Sequence, residues 1–459
     1  MTHHINEVTI KRLHGRADIE MSFKSGLNMV YGRNGQGKTA LLHILTNAIN
    51  QDFERFAYIR FETICVTLEN GEIILQQLPD DDQRTTVSIN GQLSDEFTKG
   101  EVRKREAERQ NQGTSQRKTE KQQNIAYYFP AFRAMLEGLT ASVERDSYTR
   151  RSRTTNMLST ELRQRPNKYE RVTEDIRGIF GYFVPFVTYR SLRDLEDRLN
   201  SEILNAYVKL NVADANLSTE VLSDAIAAAV GLVESDSDED FGGTLDNIDN
   251  LSQKLEKSPF QTGSLRLGKG VLDQLRDNAV RFQHDNEAKH VVKRILDVYE
   301  RTLDKRLTDE KQTLAKLEKY LDSVNRFLEN KQLIMHFDPH HGPPQLRLKM
   351  EGEQETETRN LRWLSSGERQ IVGMLFEATH LGQASIVLID EPEISLHVDW
   401  QRKIMPAILD HLNSQQVIVA THSPAVISAY RDDTLRLQSR PSVSESIMAA
   451  IEAESDEEG

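Results

Sequence analysis

The clearest chemical pattern lies near the N-terminus, in the stretch YGRNGQGKT at positions 31–39. Its glycines, lysine and threonine satisfy the spacing G-x-x-x-x-G-K-[ST]. Glycines let successive backbone N–H groups curl round phosphates, a lysine places a charge between the β- and γ-phosphates, and a threonine hydroxyl binds Mg²⁺. The sequence therefore predicts a nucleotide-binding phosphate loop made of Gly32, Arg33, Asn34, Gly35, Gln36, Gly37, Lys38 and Thr39.

Two acidic residues and a histidine follow apolar runs in the second half of the chain. Asp390 and Glu391 end the run that begins SIVLI, and His422 follows the run QVIVAT. A carboxylate at the end of a parallel strand can hold Mg²⁺, and the next carboxylate can orient the attacking water. We predict Thr39 and Asp390 as Mg²⁺ ligands, and Glu391 and His422 as catalytic residues at the γ-phosphate.

A short serine-rich segment opens an amphipathic stretch upstream of these acids. Ser365, Ser366 and Gly367 stand in LSSGERQIVGMLFEAT, whose apolar residues recur at helical spacing. One interpretation is an ordinary serine N-cap with a glutamate nearby. The other is a helix start whose serine and free N–H groups bind a γ-phosphate. The local pattern alone leaves both interpretations open.

The elements around these motifs are those that a phosphate site needs. LNMVY at 27–31 predicts a short apolar strand, and TALLHILTNAI at 39–49 predicts a helix. Phosphates would then lie at the helix N-terminus, where free N–H groups and the helix dipole favour anions. The runs before the acids and the histidine predict buried strands, and the Asn-Gly pairs at 70–71 and 90–91 predict hairpin turns.

The order and spacing of these motifs resemble those of ABC-type ATPases of the SMC/RecF/OLD class. The shared motifs are the phosphate loop, LSSGE, VLIDEPE, a D-loop-like SLH at 395–397, and THS. The resemblance implies an α/β fold: an ABC ATPase head with a mixed or parallel sheet and an antiparallel β-subdomain. It also implies that a mainly helical insertion with a short coiled coil splits the head, and that the protein uses ATP with Mg²⁺.

In this class the ATP sites form between subunits. The resemblance therefore implies that Ser365, Ser366 and Gly367 of one head close over the γ-phosphate of ATP held by a neighbour. It further implies a homo-oligomer, either a dimer or a higher even-numbered assembly. The class usually carries a metal-contacting glutamine on a strand that returns from the insertion. That glutamine is absent here, and Tyr189 and Arg190 stand in its place.

The predicted organisation has four parts. Residues 1–97 form the N-terminal lobe of the head, 98–333 the insertion, 334–437 the C-terminal lobe and 438–459 a flexible acidic tail. Within the insertion, the apolar stretch at 181–190 is expected to return to the head as a strand.

A long helix is predicted at 285–331, because Leu307, Leu314, Leu321 and Leu328 recur every seven residues. Glu310 and Lys331 interrupt the companion row of apolar residues. The pattern indicates a coiled-coil seam of moderate length within the insertion.

The composition of the chain excludes several classes of protein. The chain has 459 residues, a formal net charge of −13 and one cysteine, Cys65. It has no run of apolar residues long enough to span a membrane, and its N-terminus lacks the apolar core of a signal peptide. The single cysteine excludes a disulfide framework within the chain, so we expect a cytoplasmic protein.

Two basic segments stand out in a chain that is acidic as a whole, at 99–124 and 143–177. The net charge disfavours general nucleic-acid binding and leaves any DNA contact to such local patches. Each segment is either a solvated charge run or a contact to DNA phosphates. The second, which interleaves tyrosines with arginines, also suits an acidic protein partner.

Within the class, the sequence is similar to the ATPases of the PARIS and Septu anti-phage systems. OLD relatives often carry a C-terminal Toprim-type nuclease, and this sequence ends too early for one, so a separate Toprim-type effector is expected. The PARIS resemblance implies that the effector is released when a phage-encoded acidic protein is sensed. The alternative is a RecF-like repair ATPase that binds DNA directly. A membrane-transporter ATPase is disfavoured, because it has no room for such an insertion.

Overall fold

The computed structural model describes residues 4–78, 84–111, 125–131, 168–187, 190–230, 241–256, 286–337, 342–352, 357–381, 384–438 and 440–441. Its strands are β1 Ile5–Leu13, β2 Ala17–Ser22, β3 Leu27–Tyr31, β4 Thr63–Leu68, β5 Gly71–Gln77, β6 Thr85–Ile89, β7 Gln92–Phe97, β8 Ala126–Phe129, β9 Lys331–His336, β10 Gln345–Met350, β11 Thr358–Arg359, β12 Ile386–Asp390, β13 Gln416–Thr421, β14 Thr434–Arg436 and β15 Arg440–Pro441. Its α-helices are α1 Lys38–Ile49, α2 Lys99–Asn111, α3 Lys168–Phe180, α4 Leu192–Ala229, α5 Phe241–Glu256, α6 Asn286–Asn325, α7 Ser366–Thr379, α8 Val398–Leu409 and α9 Pro424–Ile427.

The chain divides into two compact units. One consists of Met1–Leu192 and Ser365–Gly459, and the other of Arg193–Leu364. The first unit contains a parallel five-stranded sheet of order β14-β3-β13-β12-β8 and an antiparallel seven-stranded sheet of order β15-β2-β1-β4-β5-β6-β7. The predicted α/β fold, a parallel sheet with an antiparallel β-subdomain, is confirmed. The limits of the units differ from the predicted boundaries at 97/98 and 333/334.

The parallel sheet brings the predicted site residues to one edge. Every residue of β12 and β13 is buried, as expected for parallel strands that are covered on both faces. Asp390 pairs in register with Ala420, and Thr421 pairs with Tyr31. The carboxyl ends of β3, β12 and β13 therefore coincide, and this is where ligands bind in open α/β sheets.

The antiparallel sheet contains both predicted hairpins, although the first turn lies one residue before the predicted Asn70-Gly71 pair. β4 pairs with β5 across residues 69–70, and β6 pairs with β7 across 90–91. Asn90 and Gly91 have φ of 51° and 75°, which fits a two-residue turn whose central residues both lie in the left-handed region. The side chain of Asn90 also accepts the backbone N–H of Glu72 at 2.9 Å and so ties neighbouring turns together.

Two features of the predicted insertion differ from expectation. Residues 126–129 form β8, the edge strand of the parallel sheet beside β12. The stretch 181–190, predicted as a strand, is turn and extended coil in its described residues. Its carbonyls bond to side chains instead of a neighbouring strand: Arg177 Nε donates to the Val184 carbonyl at 2.9 Å, and the Thr173 hydroxyl donates to that of Val187 at 3.3 Å. The stretch still packs in the core of the first unit.

The second unit holds the long helices and a small sheet of order β11-β10-β9. Helix α6 ends at Asn325, earlier than the predicted 331, because the Asn325 side chain exchanges two hydrogen bonds with Leu333 of β9. Leu314 and Leu321 of the predicted seam are buried. Among the described residues, no helix is long and apolar enough to cross a membrane.

Several sequence predictions fall outside the described residues. The arginine-rich part of the second basic segment lies at 143–167, and most of the acidic tail lies at 442–459. Tyr189 is also outside the described ranges. The first basic segment is described only in part, as helix α2, where Arg105 pairs with Glu54 at 3.2 Å.

Candidate functional site

The phosphate loop connects β3 to α1 as predicted. Gly35 and Gly37 have φ of 81° and 92°, the left-handed region in which a Cβ is unfavourable. Gln36 turns inward, and its Oε1 accepts the backbone N–H of Arg33 at 2.7 Å. A Cβ on Gly32 would lie only 2.5 Å from that oxygen. The left-handed backbone thus explains the glycines at positions 35 and 37, and at position 32 the absence of a Cβ leaves room for the Gln36 side chain.

A cavity of about 480 Å³ opens along the loop. It is lined by residues 34–40, by Glu391, and by Leu13, Ala17 and Ile19 of the first hairpin. Its polar side is made of loop backbone at the start of α1, where the free N–H groups of a helix N-terminus favour anions. Its apolar side offers a surface for a flat, less polar group. This division suits the phosphates and the base of a nucleotide.

Lys38 links the loop to the predicted catalytic acid. The side chain is buried, and its Nζ donates to the carbonyls of Gly32 at 3.0 Å and Arg33 at 3.4 Å. The same Nζ lies 3.5 Å from Glu391 Oε1. The structure therefore places the lysine charge between the loop backbone and the carboxylate, at the mouth of the cavity.

Thr39 and Asp390 fit a magnesium ion. The Thr39 hydroxyl donates to Asp390 Oδ2 at 2.9 Å, although the two residues come from opposite ends of the chain. A hydroxyl and a carboxylate are hard oxygen donors, which Mg²⁺ prefers, and Mg²⁺ takes its remaining ligands from water and phosphate. The adjoining backbone can supply the phosphate position. The pair is thus brought together as the sequence predicts.

Two residues that the sequence analysis did not identify are connected to Asp390 by hydrogen bonds. Tyr128 of β8 donates its hydroxyl to Asp390 Oδ2 at 3.3 Å, and His43 Nε2 of α1 lies 2.8 Å from the same hydroxyl. Both side chains are buried. Burial lowers the pKa of the His43 imidazole to about 3, so the ring is neutral.

Glu391 stands at a sharp bend immediately after β12. Its φ is 46°, an uncommon value for a residue with a side chain and one often found at functional sites. Its backbone N–H donates to the Ala420 carbonyl at 2.8 Å. The bend directs the carboxylate towards Lys38 and towards His422, whose Nδ1 contacts Glu391 Oε2. The two predicted catalytic residues are therefore adjacent.

Glu393 is a third acidic residue of this site, and the sequence analysis missed it. Its Oε1 accepts the Thr421 hydroxyl at 2.5 Å and the backbone N–H groups of His422 and Ser423, each at 3.1 Å. Burial raises the pKa of the Glu393 carboxyl. A signal was present, because DEPE places this acid two residues after Glu391.

The serine segment begins α7 with a capping box. Ser365 Oγ accepts the backbone N–H of Glu368 at 3.4 Å, and the Ser365 N–H donates to the Glu368 carboxylate at 2.7 Å. A cap uses the serine oxygen as acceptor, while its hydrogen can still be donated to a phosphate. Ser365 and Ser366 are exposed. A Cβ on Gly367 would meet the Trp400 ring at 3.2 Å and the Ser395 carbonyl at 3.3 Å, so glycine permits this packing.

Arg190 does not point to the nucleotide loop. Its Nη1 pairs with Glu377 of α7 at 2.7 Å, and its guanidinium lies over the Phe376 ring. Tyr127 of β8 donates to the same Glu377 carboxylate at 2.5 Å. Arg190 is thus held by the helix that begins at the serine segment, and the interpretation of Arg190 as the replacement for the missing glutamine loses support.

The structure has distant similarity to solved SMC head domains. It is similar to an SMC head domain with an extended coiled coil bound to the C-terminal domain of ScpA, from Pyrococcus furiosus, with 13% identity, a TM-score of 0.36 and coverage of 98% of this chain and 99% of the other. It is also similar to an SMC head domain with a coiled coil and joint from Pyrococcus yayanosii, with 14% identity, a TM-score of 0.33 and coverage of 98% and 100%. No curated protein matches the sequence.

A family model gives a more direct assignment. The model of the AAA ATPase domain matches residues 4–427, which include the phosphate loop, the serine segment and the two acid- and histidine-bearing strands. The match covers most of the chain, and an ATPase domain implies nucleotide binding in general. The chain therefore belongs to the AAA ATPase domain family.

Proposed function

We propose that this chain is an ATP-hydrolysing ABC-type ATPase whose sites are completed by a neighbouring subunit, and that it acts as a sensor or scaffold in bacterial anti-phage defence. The observation that carries the ATPase proposal is one cluster. Lys38, Thr39, Asp390, Glu391 and His422 meet at the carboxyl edge of the parallel sheet, beside a nucleotide-sized cavity.

Each residue has a distinct role in this proposal. The N–H groups of residues 33–38 and the Lys38 ammonium bind the phosphates. Thr39 and Asp390 hold Mg²⁺, which when bound neutralises charge on the β- and γ-phosphates. Glu391 orients the attacking water and accepts its proton, and His422 contacts the γ-phosphate opposite Lys38. The contact between His422 and Glu391 keeps both side chains on the same side of the cavity.

The exposed serine segment supports composite sites. Residues 364–368 are absent from the lining of the cavity, as far as the described residues go. Ser365 and Ser366 face solvent at the N-terminus of α7, where free N–H groups attract anions. A neighbouring head would place these groups over the γ-phosphate and exclude water. We infer a homo-oligomer, either a dimer or a larger even-numbered assembly.

The defence role rests on the sequence resemblance. An AriA-like ATPase of a PARIS system would hold a separate Toprim-type nuclease and release it when a phage-encoded acidic protein binds. The test is co-purification with a Toprim-type nuclease produced in the same cells, followed by addition of candidate acidic phage proteins. A stable complex that dissociates on addition supports the role. Binding to duplex DNA that weakens steeply with salt would favour the RecF-like alternative instead.

The ATPase activity has a simpler test. Purified protein should hydrolyse ATP only with Mg²⁺, and Glu391→Gln should abolish turnover while ATP binding persists. An ATP-binding protein whose turnover is unchanged in Glu391→Gln would exclude Glu391 from the role of base.

A further inference from the structure

A chain of hydrogen bonds connects Asp390, the predicted magnesium ligand, to Tyr128 and through it to His43. Tyr128 lies on β8, next to β12, and its hydroxyl is 3.3 Å from Asp390 Oδ2. His43 lies on α1, and its Nε2 is 2.8 Å from that hydroxyl. The His43 and Tyr128 rings meet edge to face, with centroids 5.1 Å apart. All three side chains are less than a tenth exposed, so water cannot readily replace these contacts.

The chemistry of the groups fixes the direction of the hydrogen bonds. An ionised carboxylate only accepts, and a tyrosine hydroxyl has one hydrogen to give. The Tyr128 hydrogen therefore goes to Asp390, and its oxygen accepts a hydrogen from His43 Nε2. This requires the neutral His43 tautomer with its proton on Nε2. A buried neutral imidazole has one N–H, and in this tautomer it is donated to Tyr128.

We infer that Tyr128 and His43 are positioning residues that hold the Asp390 carboxylate for Mg²⁺; the inference rests on the ATPase function proposed above. Thr39 also donates to Asp390 Oδ2, at 2.9 Å. A hydroxyl oxygen can ligate Mg²⁺ through a lone pair while its hydrogen is still donated, so this bond from Thr39 is compatible with metal binding. The Tyr128 hydroxyl is a second donor to the same carboxylate oxygen, and it belongs to a buried side chain of β8. It keeps the carboxylate oriented in the absence and in the presence of Mg²⁺.

The adjacent tyrosine on the same strand provides a matched control. Tyr127 donates its hydroxyl to Glu377 of α7, not to the magnesium carboxylate. Successive residues of a strand point to opposite faces of the sheet. Tyr127→Phe and Tyr128→Phe each remove one hydroxyl oxygen from β8, but only Tyr128→Phe removes a partner of Asp390.

The experiment measures binding and not turnover. ATP affinity is determined by calorimetry for wild type, Tyr128→Phe and Tyr127→Phe, both in EDTA and across a Mg²⁺ titration. Loss of a residue that orients a metal ligand typically weakens metal affinity roughly 10- to 100-fold. Tyr128→Phe should therefore raise the Mg²⁺ concentration needed for tight ATP binding by about tenfold or more. Its affinity in EDTA and both values for Tyr127→Phe should stay close to wild type.

His43 offers a second, independent pair of variants if Tyr128→Phe folds poorly. His43→Gln retains a side-chain N–H near the Nε2 position, whereas His43→Leu removes it. The Mg²⁺ dependence should be preserved in His43→Gln and weakened in His43→Leu. The inference is overturned if the Tyr128→Phe and His43→Leu values match wild type, or if Tyr127→Phe shifts equally. Wild-type protein that binds ATP equally with and without Mg²⁺ would instead overturn the proposed function.

Discussion

The backbone N–H of His422 donates to Glu393 Oε1 at 3.1 Å, so the turn that carries the histidine is built on the loop that carries Glu391. Two more donors, the Thr421 hydroxyl and the Ser423 N–H, converge on the same oxygen. Gln401 of α8 supports the turn from the other side, because it accepts the Ser423 hydroxyl at 2.8 Å. We infer that Glu393 sets the distance between the two proposed catalytic side chains through these hydrogen bonds.

This arrangement predicts that Glu393 works as a hydrogen-bond acceptor. Glu393→Leu should lower ATP turnover by roughly 100-fold, because misplacing a catalytic group by about 1 Å costs that much. Glu393→Gln keeps an acceptor oxygen at the same position. Its ATP turnover should stay within about fivefold of wild type, a much smaller change than that expected for Glu393→Leu. Steady-state ATPase rates and ATP affinities for both variants check this, with affinity expected to change little. Equal loss in the two variants would mean that the negative charge matters, not the acceptor.

Substitutions of Lys38 and Glu391 are predicted to impair different steps of the reaction. Lys38→Ala removes the buried charge beside the loop and should weaken ATP binding strongly, since charge-assisted bonds are worth about 1.5–3 kcal/mol each. Glu391→Gln should bind ATP normally and lose turnover by roughly 100-fold or more, as for a missing general base. Binding by calorimetry and turnover by phosphate release separate the two steps. Normal binding in Lys38→Ala would contradict the assignment of the phosphate loop.

The residues that sequence reasoning found have strong local patterns. The loop 32–39 and the pair Asp390 and Glu391 are each contiguous, and an apolar run before the acids predicts the strand end that presents them. The fold class was implied by the resemblance of the motifs to those of ABC-type ATPases, and the Asn-Gly turns fit its antiparallel β-subdomain.

The residues that it missed depend on sheet order. Tyr128 meets Asp390 only because the short strand AYYF inserts beside β12, and four residues among basic and polar segments give little periodic signal. The stretch 181–190 was mispredicted for a related reason. Its apolar pattern is that of a strand, but side chains of α3 donate hydrogen bonds to its backbone carbonyls in place of a neighbouring strand. No local pattern distinguishes these two outcomes.

Composite sites predict complementation between inactive subunits. Lys38→Ala removes the phosphate-loop charge, and Ser365→Arg blocks the serine segment. In a random mixture, mixed dimers have one complete site, so roughly a quarter of wild-type activity should return for a dimer. ATPase assays on the mixture, with mixed oligomers verified by distinct tags, test this. Glu368→Ala is the control for weakening the helix cap alone, and it should keep most activity. Verified mixed oligomers without activity would rule out sites shared between subunits.

The long helices of the second unit allow a sharp test of buried charge. Arg306 of α6 pairs with Asp214 of α4, and its Nη1 lies 2.8 Å from Glu310 one turn further along α6. All three side chains are buried. Glu310 is one of the two residues that interrupt the companion row beside the predicted leucine row, so a buried ion pair occupies that interruption. Removing one partner of a buried pair leaves a desolvated charge and typically costs about 3–5 kcal/mol.

Arg306→Ala should therefore destabilise the second unit by about 3–5 kcal/mol, whereas Lys305→Ala should change it by at most about 1 kcal/mol. Lys305 is the adjacent residue, and it pairs across the same two helices with Glu220 at 3.1 Å, but both members of this pair are half exposed. Hydrogen exchange of α4 and α6 in the full chain measures local unfolding without requiring the unit to fold alone. Replacing all three charged residues with Asp214→Leu, Arg306→Met and Glu310→Leu should restore protection, because an apolar core of similar volume leaves no charge buried. If Arg306→Ala exchanges no faster than Lys305→Ala, the buried pair does not stabilise the contact between these helices.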